Sequence, residues 1–166
     1  MDPIRVAWGS AVGPTAMSSL DAALADANSH DYNLVVLSSV VPGGATVERA
    51  GTLPDLGPAG ESLPVVLSRE TILPGAGETA VAGLGWVRSE SGRGLFYEAS
   101  GTDREAVRRA IDRGLDHATD LRNWQFETDP AVVVESHPPA ATDHATAVVL
   151  AAYGTTDPLL GTTQRG

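Results

Sequence analysis

The sequence has no cysteine and no lysine. Without cysteine there is no disulfide, no thiolate nucleophile and no Cys-ligated zinc. Without lysine there is no internal Schiff base to pyridoxal phosphate and no P-loop lysine. Long apolar runs are also missing, and the start "MDPIRVAWGS" lacks a basic stretch followed by an apolar core. The expectation is therefore a cytoplasmic protein with neither a membrane span nor a signal peptide. Positive charge is scarce: 11 arginines face 21 acidic residues, for a net charge of −10. Such a chain is a poor candidate for binding nucleic acid or an anionic membrane, because few cations exist to neutralise phosphates. The acidic, lysine-free pattern suggests adaptation to high salt, where screening shrinks to about 3 Å at molar concentration. Attraction of a cationic substrate is then a short-range effect inside a pocket. His30, His117, His137 and His144 show no tight ligand spacing. His137 and His144, flanking "PPAATD", read as exposed loop histidines, and no metal is expected.

At 166 residues the chain is long enough for one domain with a real core, since a domain of this size buries roughly 70% of its unfolded surface. "PIRVAWGSA" (3–11) reads as a strand and "MSSLDAALADAN" (17–28) as a helix. Ser18 or Ser19 is placed to cap that helix, and Leu20, Ala23, Leu24 and Ala27 form its apolar stripe. "NLVVLSS" (33–39) is the next strand, ended by "VVPGG"; the Gly/Pro-rich region 42–64 predicts a long ordered loop with one short strand at 45–48. Strands follow in "LPVVLSRETI", "ETAVAGLGWVRSE" and "GLFYEASG", with "ESGRG" (90–94) turning a hairpin between the last two. "TDREAVRRAIDRGLDHATDL" (102–121) predicts a helix opened by a Thr102/Glu105 capping box, with an apolar stripe of Ala106, Ala110, Ile111 and Leu115. "AVVVESH" and "HATAVVLAAYG" complete the strands, and residues 154–166 read as a loose tail. Two main helices and about seven strands define the fold class as an α/β sandwich in a single domain, 1–153.

Two Ser-Ser pairs stand in this chain. Ser18-Ser19 fits a helix start. Ser38-Ser39 interrupts an apolar, β-branched run in "NLVVLSSVVPGG", where a buried strand would carry hydrophobes. The plain alternative is a pair of hydroxyls bonding the following turn.

The segment "NLVVLSSVVP" resembles the processing site of the pyruvoyl-dependent arginine decarboxylases of archaea, in which an Asn, an apolar run and a Ser-Ser pair mark self-cleavage. Asp21 in "SLDAALADAN" is similar to the family's substrate-binding helix. "GETAVAGLGW" and "GLFYEASG" resemble two further family segments, the second carrying the catalytic glutamate as Glu98. The helix from Thr102 and "WQF" at Trp124 keep the family order, so the resemblance covers residues 20 to 153. With the acidic composition it implies a member from a halophile.

The resemblance implies an αββα sandwich assembled as a homotrimer of cleaved protomers, with active sites between neighbours, converting arginine to agmatine for polyamine synthesis. It implies cleavage between Ser38 and Ser39 into chains 1–38 and 39–166. The Oγ of Ser39 attacks the Ser38 carbonyl to give an ester. Elimination then leaves dehydroalanine, which tautomerises and loses ammonia to become a covalently bound pyruvoyl group. Asn33 or a backbone N–H is expected to stabilise the tetrahedral oxyanion. Decarboxylation needs an electron sink conjugated to the substrate amine, which a lysine-free chain makes from its own serine. Glu98 is expected to protonate Cα, its pKa raised by an apolar setting of Leu95, Phe96 and Tyr97. Asp21 suits a guanidinium, which donates two parallel N–H bonds to a carboxylate. Leu24, one turn on, is placed to pack on the substrate's aliphatic stem. Gly43 and Gly44 either admit backbone close to the substrate or only shape a turn. One carboxylate does not separate arginine from lysine or ornithine, so a pyruvoyl decarboxylase for another amino acid stays open. So does an uncleaved relative that binds a cationic metabolite.

Overall fold

Two helices lie on the outer faces of two stacked sheets in the computed structural model, which describes residues 1–127 and 129–161. The elements run β1 (Ile4–Gly13), α1 (Ala16–Asp26), β2 (Asn33–Val36), β3 (Val40–Val41), β4 (Val47–Gly51), β5 (Ser62–Ile72), β6 (Ala80–Arg88), β7 (Gly94–Gly101), α2 (Arg104–Asp120), β8 (Ala131–His137) and β9 (His144–Tyr153). One sheet has the order β2-β5-β9-β1-β4 and carries α1; the other, β3-β7-β6-β8, carries α2. This is the expected αββα layering, with nine strands rather than about seven among the described residues.

Three apolar clusters match the three interfaces. Between the sheets, Val6, Val66, Leu84, Trp86, Phe96 and Val149 pack together. Under α1, Ala7, Ala27, Leu53, Leu63 and Leu150 form a second cluster, and under α2, Val81, Val107, Ile111 and Leu115 form a third. The innermost strands are consequently apolar on both faces: β6 and β9 are buried along almost their whole length, as strands covered from two sides must be. A β-carbon at Gly85 would collide with Ile111, so glycine in β6 sets how closely α2 approaches the sheet.

Several local expectations are corrected. Thr15, not Ser18 or Ser19, is the N-cap of α1, and it forms a capping box with Ser18 at the third helical position. Ser19 is fully buried, and its hydroxyl bonds that of Thr146 at 2.7 Å, which in turn bonds Thr71 at 2.7 Å. A buried hydroxyl needs a partner, and this chain of three satisfies it between helix and sheet. Asp103 rather than Thr102 caps α2, accepting from the Ala106 N–H at 2.7 Å. The stripe of α2 runs through Val107, Ile111 and Leu115, while Ala106 is exposed. The strand expected at 33–39 ends at Val36, the one expected at 45–48 lies at Val47–Gly51, and Val40–Val41 form a strand of their own. His137 and His144 are half-buried strand residues, not exposed loop residues. The chain just past residue 154 is tied down rather than loose. Asp157 exchanges backbone bonds of 2.9 and 3.0 Å with Ser62, and Thr156 bonds Glu61 at 2.6 Å. Residues 162–166, also expected as tail, lie outside the described residues.

Candidate active site

The Ser38-Ser39 peptide is the crossing point between the two sheets. On one side the Leu37 N–H donates to the Val65 carbonyl at 2.8 Å, extending the β2–β5 ladder by one residue. On the other side the Ser39 carbonyl accepts from the Phe96 N–H at 2.8 Å, and Val40 and Val41 pair with Leu95 and Gly94 of β7. The chain is thus held in one sheet up to residue 37 and in the other from residue 39. The turn between these anchors puts Ser39 at φ +69°, one of two non-glycine residues at positive φ among the described residues. Such a conformation costs about 1 kcal/mol or more for a residue with a side chain. The strain lies beside the Ser38–Ser39 bond.

β3 covers only the first residues of the β7 edge, so β7 is unpaired on that side where Glu98 emerges. A cleft of about 350 Å³ opens there, lined by Ser38, Ser39, Leu95 to Glu98, Ala118 and Arg122. The Ser39 hydroxyl donates to the Glu98 carboxylate, 3.2 Å from Oε1 and 3.1 Å from Oε2. Glu98 itself is half-buried, between buried Leu95 and Phe96 on one side and half-buried Ala99 on the other. The Tyr97 ring lies against α2 where Gly114 leaves room; a β-carbon at Gly114 would overlap it. Arg122, just past α2, is bonded through Nη1 to the Ala118 carbonyl at 2.8 Å and lies over the Trp124 ring. The cleft therefore presents a nucleophilic hydroxyl, a carboxylate, a guanidinium and an apolar wall within one small volume.

Tyr153, at the end of β9, joins this site from the opposite sheet. Its hydroxyl donates to the Val40 carbonyl at 2.8 Å, and its ring meets Phe96 edge-on. Burial, with a contribution from the Glu98 charge, pushes the phenol up to about 12.

Of the residues singled out in the sequence, the structure brings Ser38, Ser39 and Glu98 together and leaves the others elsewhere. Asn33 is exposed at the start of β2, where its amide donates to the Gly60 carbonyl at 2.7 Å, so its side chain does not reach the Ser38 carbonyl. Asp21 is exposed on α1, the layer farthest from the α2 side of the cleft. Leu24 packs into the cluster under α1. Gly43 and Gly44 form the turn after β3 and do not line the cleft; Gly44 takes φ +84° there. The sequence does not mark Phe96 as a backbone donor, nor Arg122 or Tyr153 as site residues. Nothing in the local sequence marks Tyr153, which stands 113 residues from Val40. No group of metal-ligating side chains occurs among the described residues, and none of their helices is long and apolar enough to cross a membrane.

A sandwich of this kind, with a serine hydroxyl held on a carboxylate at a strained crossing between sheets, has the architecture of an enzyme site rather than of a passive binding face. The sequence model of the pyruvoyl-dependent arginine decarboxylases matches residues 3–158. The chain is 48% identical to a pyruvoyl-dependent arginine decarboxylase of Halobacterium salinarum over 96% of its own length and 98% of that protein. It is 34% identical to one of Thermococcus sibiricus over 76% of this chain and 79% of the other. For one of Pyrococcus furiosus the identity is 32%, over 86% and 90%. The chain belongs to the pyruvoyl-dependent arginine decarboxylase family.

Proposed function

We propose that this protein is a self-processing decarboxylase that converts L-arginine to agmatine and carbon dioxide. The observation that carries the reading is the Ser39 hydroxyl on the Glu98 carboxylate in an open cleft, in a chain of this family. Processing starts when the Ser39 Oγ attacks the Ser38 carbonyl carbon. An O–C bond forms, the Ser38–Ser39 C–N bond breaks, and the strained turn is released. Elimination breaks the Cβ–Oγ bond and frees the carboxyl end of residue 38 with that oxygen; a water then displaces ammonia from residue 39 and supplies the ketone oxygen of the pyruvoyl group.

Residue 39 fits that group: its Oγ, the atom lost in elimination, already has a polar partner, and its carbonyl is held by a backbone N–H. The pyruvoyl group supplies a ketone conjugated with an amide, an electron sink for the charge left at the substrate Cα when carbon dioxide departs. The Phe96 N–H, aimed at the residue 39 carbonyl oxygen, stabilises negative charge developing there, as a preorganised donor does in an oxyanion hole. Glu98 delivers a proton to Cα. The buried Leu95 and Phe96 limit water on one wall of the cleft.

The cleft of a single chain offers the substrate's guanidinium no carboxylate besides Glu98. Asp21, exposed on α1, supplies one if protomers assemble with α1 of one copy beside the cleft of the next. A homotrimer, with each site shared between neighbours, meets that need. Mass spectrometry of the purified protein tests the self-processing claim. Fragments of residues 1–38 and 39–166 are expected, the second with a blocked amino end, and an intact chain alone would overturn the reading. A panel of amino acids, assayed for carbon dioxide release, tests the substrate: release from lysine or ornithine at the arginine rate would overturn the arginine assignment.

A further inference from the structure

Cutting the chain between residues 38 and 39 creates a problem that the uncut chain does not have. Residue 39 becomes a chain end, and chain ends fray unless tied down. The strand behind it, β3, is two residues long and lies at the margin of its sheet. Before cutting, residue 39 is also anchored through Ser38 to Leu37, whose N–H is bonded to Val65 in the other sheet. That anchor is lost with the peptide bond. What remains on the β7 side is the Phe96 N–H on the residue 39 carbonyl and the pairing of Val40 and Val41 with Leu95 and Gly94.

Carbonyls alternate in direction along a strand. With the residue 39 carbonyl turned to β7, the Val40 carbonyl points the other way, and there it meets the Tyr153 hydroxyl at 2.8 Å. Tyr153 ends β9, in the sheet that Leu37 also joins, so its bond is a second inter-sheet tie, one that does not run through the bond that is cut. The ring is fixed against Phe96 at a centroid separation of 6.2 Å, and Phe96 lies 5.9 Å from Trp86. The phenol, pushed up to about 12, stays protonated and donating at any ordinary pH.

We propose that Tyr153 is a positioning residue that clamps residues 39–41 onto β7 after the Ser38–Ser39 bond is cut, keeping the residue 39 carbonyl on the Phe96 N–H. This rests on the self-processing reading. The test compares Tyr153→Phe in the processed protein and in the uncut Ser39→Ala background. Exchange of the Phe96 amide hydrogen is followed by NMR, and agmatine formation is measured for the processed forms. In the processed protein, loss of the hydroxyl is expected to speed Phe96 exchange and lower kcat by about two- to tenfold, the worth of one hydrogen bond, with KM nearly unchanged. In the uncut background, Phe96 exchange is expected to stay at its parent rate. Equal acceleration in both backgrounds would assign Tyr153 an ordinary structural role and overturn the clamp, as would no acceleration in either. A parent protein that mass spectrometry finds wholly uncut overturns the processing reading and the clamp together, a result distinct from either of those.

Discussion

The two Ser-Ser pairs share a dipeptide and little else. Ser18 and Ser19 sit in the first turn of α1, where each hydroxyl is used up: Ser18 in a reciprocal cap with Thr15, Ser19 in a buried bond to Thr146. Ser38 and Ser39 sit between two sheets, with Ser39 in a left-handed conformation and its hydroxyl on a carboxylate 59 residues away. The difference lies in the backbone that presents the hydroxyl. A helix start supplies orphan N–H groups, one of which Ser18 satisfies by accepting from Thr15, while Ser19 finds its partners in the Ala16 carbonyl and the sheet beneath. A sheet-to-sheet crossing instead holds Ser39 at positive φ and leaves its side chain facing an open cleft.

The sharpest break of this contrast is Ser39→Ala. It is expected to abolish both cleavage and agmatine formation, leaving one band of full length by denaturing electrophoresis. Ser18→Ala and Ser19→Ala are expected to cleave normally. Next in size is Glu98→Gln, which keeps an acceptor oxygen for the Ser39 hydroxyl but carries no acidic proton. Mass spectrometry should find it cut, while its kcat falls by about 100-fold or more, the usual worth of a positioned proton donor. Asp21→Asn tests the substrate end. Its expected effect is a rise in KM for arginine of about tenfold or more with cleavage intact, as for loss of a charge-assisted pair. If each site is shared as proposed, mixed oligomers of Asp21→Asn and Glu98→Gln subunits should regain activity, because such a site takes one intact residue from each neighbour. The smallest effects belong to the helical pair. Ser19→Ala leaves the buried Thr146 hydroxyl one partner fewer and is expected to cost about 1–2 kcal/mol in thermal or denaturant unfolding. Ser18→Ala loses part of a cap, about 1 kcal/mol or less.

Periodicity made much of the layering legible. β7 and β8 are found at the residues their patterns predict, and α1, α2, β5, β6 and β9 agree to within a few. The misses are instructive at particular positions. Thr102 and Glu105 have the letters of a capping box, yet Asp103 is the residue whose carboxylate meets the Ala106 N–H; neighbouring capping residues compete, and backbone geometry chooses between them. Ser19 looked like a cap because sequence shows the helix start and not the strand beneath it. β3 was missed because two residues have no period. Its existence depends on β7 offering a free edge, which is a tertiary fact.

For the site, Ser38, Ser39 and Glu98 were legible because the chain resembles a family whose residues could be matched one by one. Asp21 was legible as a candidate for the same reason, although its place on the opposite layer was not. Asn33 shows the converse. It was singled out beside the scissile bond, but its amide is committed to Gly60, because β2 runs extended for four residues and carries it away from the crossing.

By itself the sequence determined the side chains on offer, with no lysine and no cysteine among them, and its apolar periods pointed to an α/β sandwich of strands and two main helices. Only the tertiary structure decided which of those groups meet. It made residues 38 and 39 the span between two sheets, faced Ser39 with Glu98, and brought Tyr153 and the Phe96 N–H to residues 39 and 40. These contacts join segments far apart in the chain, and no local propensity encodes them. They follow from which strands pair, and pairing is settled by how the three apolar interfaces close together.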